Sequence, residues 1–164
     1  MQTTAGTVIN WTASPQTKSF PTQWSIAMDF SGFNWPEVLL AALSALALGA
    51  LWYGPLLGKR WQALNQLSDE QISHANMKLI FAAAFVLNLF LALFLSLFIE
   101  IAMMMGSGAA AGAAFGVFLG LVFVAPTFGV NYLFARRPLQ LYLIDAGYQL
   151  LQLALMGAIL GAWV

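Results

Sequence analysis

Four apolar runs, each close to the length that crosses a bilayer, limit this chain more than any other feature. They cover about 35–57, 79–103, 110–133 and 139–164. A helix needs roughly 20 apolar residues to traverse about 30 Å of hydrocarbon. Inside hydrocarbon every backbone N–H and C=O must be satisfied within the chain, and in an open chain only a helix does that. The expectation is an all-α membrane protein, a bundle of four transmembrane helices over residues 30–164. Hydrophobic residues make up 61% of the chain and charged residues 7%. A soluble domain has roughly 25% charged residues, so this chain cannot clothe a water-facing surface.

Residues 1–29 are polar, rich in Thr, Ser and Gln, and interrupted by Pro15 and Pro21. They show no sustained period, and a flexible tail is expected. The alternative is an interfacial segment held by Trp11, Phe20 and Trp24. Met28 stands directly before the first apolar run and is an alternative start. No basic stretch precedes an apolar run here, so no cleavable signal peptide is expected.

The connection between the first two runs is the only sizeable one. At its start Trp52 and Tyr53 suit a membrane–water boundary, and Pro55 and Gly58 stop the helix. Trp61, Leu64 and Leu67 predict a short interfacial helix. Ser68-Asp69-Glu70-Gln71 reads as a capping box, from which a helix is expected to run on into the second span. Pro36 and Glu37 suit the first turn of the first span. Pro126, with Gly129 after it, predicts an interruption of the third.

Orientation follows from the bases. Lys59, Arg60 and Lys78 flank the first connection, and Arg136 and Arg137 flank the third. The positive-inside rule then places both basic loops in the cytoplasm and both termini outside.

Small residues recur at four-residue spacing in Gly108, Gly112, Gly116 and Gly120, and again in Gly157 and Gly161. Such stripes let membrane helices approach closely where the hydrophobic effect gives no drive. The stripe Ala84, Asn88, Ala92, Ser96 and Glu100 of the second span is the expected counterpart of the third. Helix packing is the favoured reading of these glycines, and a pore or lipid groove the minor one. Some stripes are expected to serve self-association, since four helices cannot bury all of them.

Polar residues within the runs are the candidates for chemistry. Asp145, with Tyr148, Gln149 and Gln152, forms a polar stretch of the fourth span. Positions 145, 149 and 152 share one side of a helix. Tyr53 and Asn131 are expected at the same depth as Asp145, and Asn88 on the second span joins the set. A carboxylate in a span costs roughly 2.5–3.5 kcal/mol on insertion scales, so Asp145 should face the bundle interior or carry a proton. Two readings stand: a relay or polar pocket, or hydrogen bonds that fix the bundle. Glu37 and Glu100 are expected at the opposite rim, either collecting cations or simply hydrated at helix ends.

Other chemistries are excluded or weak. Six acids balance six bases, which argues against nucleic-acid binding. With no cysteine in the chain, thiolate metal sites and disulfides do not arise. His74 is the single histidine and has only Glu70 one turn away, fewer groups than zinc needs. Met103, Met104 and Met105 suggest a soft-metal contact or, more simply, adaptable packing. No cofactor, metal or catalytic set is expected, and the chain reads as a non-enzyme.

The stretches Phe33-Asn34-Trp35, Leu48-Gly49-Ala50-Leu51-Trp52-Tyr53-Gly54-Pro55 and Gly58-Lys59-x-Trp61 resemble the family catalogued as domain of unknown function 1761. Asp145-Ala146-Gly147-Tyr148-Gln149, followed by Met156-Gly157-Ala158-Ile159, is similar to that family's last helix. The resemblance covers about 28–164 and implies a compact bacterial four-helix membrane protein, with no activity to carry over. The function expected is an inner-membrane bundle that partners the lipid bilayer and either associates with itself or serves another membrane protein as an accessory subunit. The alternative is a small transporter or channel for a proton, cation or small solute that uses Asp145. The topology is checked by a cysteine added at the C-terminus: an impermeant thiol reagent should label it from outside intact cells, and labelling only from the cytoplasmic side overturns the assignment.

Overall fold

A computed structural model of the chain describes residues 34–102 and 107–163. The expectations for the tail at 1–29 and for Met103, Met104 and Met105 lie outside the described residues. Those described are helical or in short connections, with no strand among them. The elements are α1 (Trp35–Leu51), a π-helical turn (Trp52–Leu56), α2 (Gly58–Asn65), α3 (Asp69–Ser73), α4 (Met77–Ala102), α5 (Ala109–Leu119), a second π-helical stretch (Gly120–Val124), α6 (Ala125–Phe134) and α7 (Leu139–Gly161). Four helical segments, Trp35–Leu56, Met77–Ile101, Ala109–Phe134 and Leu139–Gly161, are long and apolar enough to cross a membrane.

Local chemistry sets the boundaries. The Asn34 carbonyl accepts the Glu37 and Val38 amides at 3.1 and 3.3 Å, and Pro36 sits in the first turn of α1. Pro55 has no N–H to continue an α-helix. The helix widens instead, and the Leu57 amide reaches the Trp52 carbonyl at 2.9 Å. Gly54 takes φ −100° and ψ −105° within this turn. A Cβ on Gly58 would lie 2.4 Å from the Tyr53 carbonyl oxygen, so only glycine lets α2 start so close to the turn. The second π-helical stretch likewise sits just before a proline, Pro126, where the interruption of the third span was expected.

The expected short helix over Trp61 and Leu64 is α2, which ends at Gln66 in the left-handed region with φ 58°. The capping box at Ser68 is formed in both directions, with Ser68 Oγ accepting from Gln71 N and Gln71 Oε1 accepting from Ser68 N. Its helix does not run on into the second span. It ends at Ser73, and α4 starts afresh, with Asn76 Oδ1 accepting the Leu79 amide at 3.2 Å. Asparagine is a strong N-cap, so the chain carries two helix starts eight residues apart and obeys both.

Helix α7 is the axis of the bundle. It packs against α1, α4, α5 and α6, and half of its most apolar window is buried, against 11–22% in the other three spans. Large apolar side chains such as Leu87, Phe90, Ile101 and Leu133 remain exposed on the outer helices, as suits helices solvated by lipid. Val38, Ala41, Ala42 and Ala45 of α1 meet Ala92, Leu95 and Ile99 of α4 and Leu153, Met156 and Leu160 of α7 in one core. This core lies toward the start of α1 and the end of α7. At the other end the basic loops meet, where Arg60 Nη2 donates to Gln140 Oε1 at 3.2 Å.

The glycines of the third span meet α7, not the second span as expected. A Cβ on Gly112 would lie 2.0 Å from the Gly157 carbonyl oxygen and 3.0 Å from Gly161 Cα. One on Gly116 would lie 2.0 Å from the Leu153 carbonyl oxygen, and one on Gly120 would strike the Leu150 side chain at 2.7 Å. Gly108 has no such neighbour and takes φ +101° ahead of α5. The second span turns its own stripe elsewhere: Asn88, Ala92 and Ser96 are buried, Ala84 is half-buried and Glu100 is exposed. Gly116→Ala should destabilise the fold by about 1–3 kcal/mol through backbone displacement. Gly129→Ala, whose Cβ would sit 3.5 Å from the Tyr142 ring, should stay within about 0.5 kcal/mol; unfolding in mixed micelles distinguishes them.

Candidate functional site

The polar centre of the bundle is built on Asp145, two turns into α7 and 7% exposed. Its carboxylate accepts from three side chains on three different segments. Tyr53 Oη donates to Oδ1 at 2.8 Å, and Trp61 Nε1 donates to the same oxygen at 3.0 Å. Tyr132 Oη donates to Oδ2. An indole N–H can only donate, so Oδ1 is an acceptor here. Among the described residues no base bonds to it.

The corner between α1 and α2 delivers two of these donors. The wide turn carries Trp52 and Tyr53 together onto α7, where Trp52 Nε1 donates to the Ile144 carbonyl at 3.1 Å. After the turn, α2 folds back so that Trp61 reaches the neighbouring residue, Asp145. The rings form a cluster: Tyr53 meets Trp61 edge-on at 5.5 Å between centroids and Tyr148 at 5.1 Å. Tyr148 Oη donates to the Ala45 carbonyl at 3.2 Å. On the other side of α7, Tyr132 stacks against Phe128 at 6.1 Å and meets Tyr142 edge-on at 6.1 Å. Two turns beyond Asp145 along α7, Gln152 Nε2 donates to Asn88 Oδ1 at 2.8 Å, and the pair is buried.

Beside this cluster lies a half-open cavity of about 860 Å³, with Lys59, Ile80 and Phe81 of its lining exposed. Leu46 and Gly49 of α1 line one wall and Phe81 and Ala84 of α4 the other, with Asn88 deeper. Gln62 of α2 and Gln71 and Ile72 of α3 border it at the loop end. Asp145, Tyr53, Trp61 and Tyr148 all belong to its lining. The volume falls within the roughly 300–1,000 Å³ of small-molecule sites, which combine apolar walls with a few converging polar groups.

The structure thus brings together Asp145, Tyr53 and Tyr148, with the Asn88–Gln152 pair close by along α7. It does not bring Asn131 to them: Asn131 is exposed, and its neighbour Tyr132 faces the carboxylate instead. Gln149 is half-buried and its amide makes no side-chain hydrogen bond among the described residues. The acids of the other rim differ from each other. Glu37 is 6% exposed and accepts from Asn34 Nδ2 at 3.2 Å, so it is not a hydrated helix end. Glu100 is exposed. His74 is exposed as well, and among the described residues no group of three or more His, Asp or Glu side chains converges to hold a metal ion. Sequence reasoning missed Tyr132 and gave Trp61 only an interfacial role. The available signal was that both are donors, near the same loop end as Asp145.

The sequence model of a family described as "Protein of unknown function (DUF1761)" matches residues 37–161. The resemblance carried by the Trp52-Tyr53-Gly54-Pro55 corner and the Asp145–Gln149 stretch is therefore sound over nearly the whole bundle. No curated protein and no solved structure matches the chain. Replacing Tyr132 by Phe should destabilise the protein by about 1–3 kcal/mol, because one bond to a buried charged group is lost. Asn131→Ala should change it by no more than about 0.5 kcal/mol; denaturation by a harsh detergent titrated into mild micelles reads both.

Proposed function

The chain belongs to the DUF1761 family, which brings no activity with it, and from the geometry of its own site we propose that it is a small-solute binding and transport protein of the bacterial inner membrane. The cavity beside Asp145 is the observation that carries this reading. A membrane helix bundle gains nothing structurally from a space of this size next to a charged group. A carboxylate in a span is by default a candidate for a substrate or ion path. The apolar walls suit a solute that partitions into the membrane, and Asp145 and the Asn88–Gln152 pair supply orientation. The arrangement of bases, with Lys59, Arg60, Arg136 and Arg137 at one end of the bundle, supports the cytoplasmic placement of that end and the outward placement of both termini. The site then opens toward the cytoplasmic leaflet.

The self-association reading loses part of its motive. It rested on small-residue stripes left over for a partner, and Gly112, Gly116 and Gly157 are occupied by the α5–α7 contact within one chain. Native mass spectrometry of the protein released gently from its own membranes tests the proposal. A retained small molecule should accompany the wild-type chain and be lost from Ala84→Trp, which fills the cavity from α4. Stoichiometric capture of another membrane protein, with an empty cavity, would instead make this an accessory subunit.

A further inference from the structure

The solute class can be read from the lining, on the premise that the cavity is the binding site proposed above. Buried charges are normally paired. Asp145 is held by one indole and two phenols, all neutral, and forms no ion pair with a described base. Its charge is solvated but not cancelled. On the cavity side, Oδ1 is bracketed by the rings of Tyr53 and Trp61, and Tyr148 completes the cluster against Tyr53. Tyr53 and Trp61 turn their donor edges to the carboxylate; an acid set among aromatic rings suits an organic ammonium, whose diffuse charge is attracted by ring faces away from those edges while the acid supplies the counter-charge. Lys59 is the one base in the lining, and it is exposed on α2, whereas Asp145 is buried. Hydration at the loop end therefore screens Lys59, and the acid dominates the interior. The walls formed by Leu46, Phe81 and Ala84 favour an apolar body over a strongly hydrated inorganic ion.

We propose that the cavity takes a hydrophobic organic monocation, with the cationic centre among Tyr53, Trp61, Tyr148 and Asp145 and the apolar body against α1 and α4. Such a group arrives either as a free lipophilic cation or as the amine headgroup of a membrane lipid.

The test uses the full chain in nanodiscs and two isosteric probes of opposite charge, tetraphenylphosphonium and tetraphenylborate, followed by calorimetry. Tetraphenylphosphonium should bind saturably and tetraphenylborate should not. Asp145→Asn, which keeps an acceptor oxygen and removes the charge, should weaken the cation about tenfold or more. Tyr148 donates to the Ala45 carbonyl and not to Asp145, so its variants leave the counter-charge in place: Tyr148→Leu should weaken binding several-fold, and Tyr148→Phe, which keeps the ring, should leave it near wild type. That pair decides the matter even if Asp145→Asn fails to fold. Discs of phosphatidylglycerol, with and without phosphatidylethanolamine, separate the sources. Competition by the amine lipid identifies the headgroup, and equal binding identifies a free cation. Equal binding of both probes, lost in Ala84→Trp, would overturn the cationic class while leaving the cavity as a solute site. Binding of neither probe, together with an empty cavity in the native mass spectrum, would remove both.

Discussion

The interaction on which the rest of the structure depends is the grip of three neutral donors on the Asp145 carboxylate. Placing that charge at depth costs roughly 2.5–3.5 kcal/mol on insertion scales. A hydrogen bond to a charged group contributes about 1.5–3 kcal/mol, so one donor barely offsets the cost and three offset it comfortably. Tyr53 comes from the end of the first span, Trp61 from the loop helix and Tyr132 from the third span. A single acid on the central helix therefore fixes the position of three other segments at the loop end. The charge is a fastening point because the membrane offers it no alternative partner.

Much of the architecture was legible, and the reasons differ by element. The four spans are written in hydropathy alone. The capping box at Ser68 is a local motif and formed as read. The helix after it stopped at Ser73 because Asn76 provides a competing start, and local signals of similar strength do not announce which will dominate. Asp145 stood out because a charge within an apolar run is conspicuous. Its partner Tyr132 did not, because tyrosine is ordinary near a span's end. Azimuth was not legible: adjacent residues point about 100° apart on a helix, so Tyr132 faces the carboxylate where Asn131 was expected. A wide turn at 120–124 also takes up an extra residue and shifts the helical register ahead of Asn131 and Tyr132. The pairing of stripes was not legible either. Any smooth face fits any other, so the choice of α7 over α4 by Gly112 and Gly116 is a property of the assembled bundle.

The two prolines and the two π-helical turns are one device used twice. Each proline removes an amide from the ladder, and each time the helix widens next to it: at Pro55 the wide turn closes the first span before α2 folds back, and at Pro126 the helix runs on. At the first turn the widening carries Trp52 and Tyr53 onto α7. At the second, carbonyls near the proline find side-chain donors, with Thr127 Oγ1 bonded to Phe123 at 2.6 Å and Tyr142 Oη to Ala125 at 3.2 Å. Irregular backbone at membrane depth persists where neighbouring helices and side chains re-satisfy it. Both irregular turns lie on segments that deliver a tyrosine to Asp145, so the backbone exceptions and the polar centre belong to one construction.

The same construction explains why the bundle is tight at one end and hollow at the other. Toward the start of α1, alanines of α1 and α4 interleave with Leu95, Ile99, Met156 and Leu160 in a filled core, and α5 closes on α7 to backbone distance through Gly112 and Gly116. Toward the basic loops, α1 and α7 exchange rings for glycines: Tyr148 rests over Gly49, where a Cβ would lie 3.0 Å from its hydroxyl, and Trp52 rests over Gly147, where a Cβ would lie 3.5 Å from the indole. The rings act as spacers whose length sets the separation of the two helices. With α1 held off by these rings and α2 drawn back to Asp145, α4 lines the gap with Met77, Ile80, Phe81 and the small Ala84 and leaves it unfilled. The void is thus a consequence of bulky residues seated on small ones, reinforced by polar bonds that prevent collapse. Shortening a spacer should close it only if the grip on Asp145 is released at the same time, since that grip, and not the apolar packing, holds the loop end open.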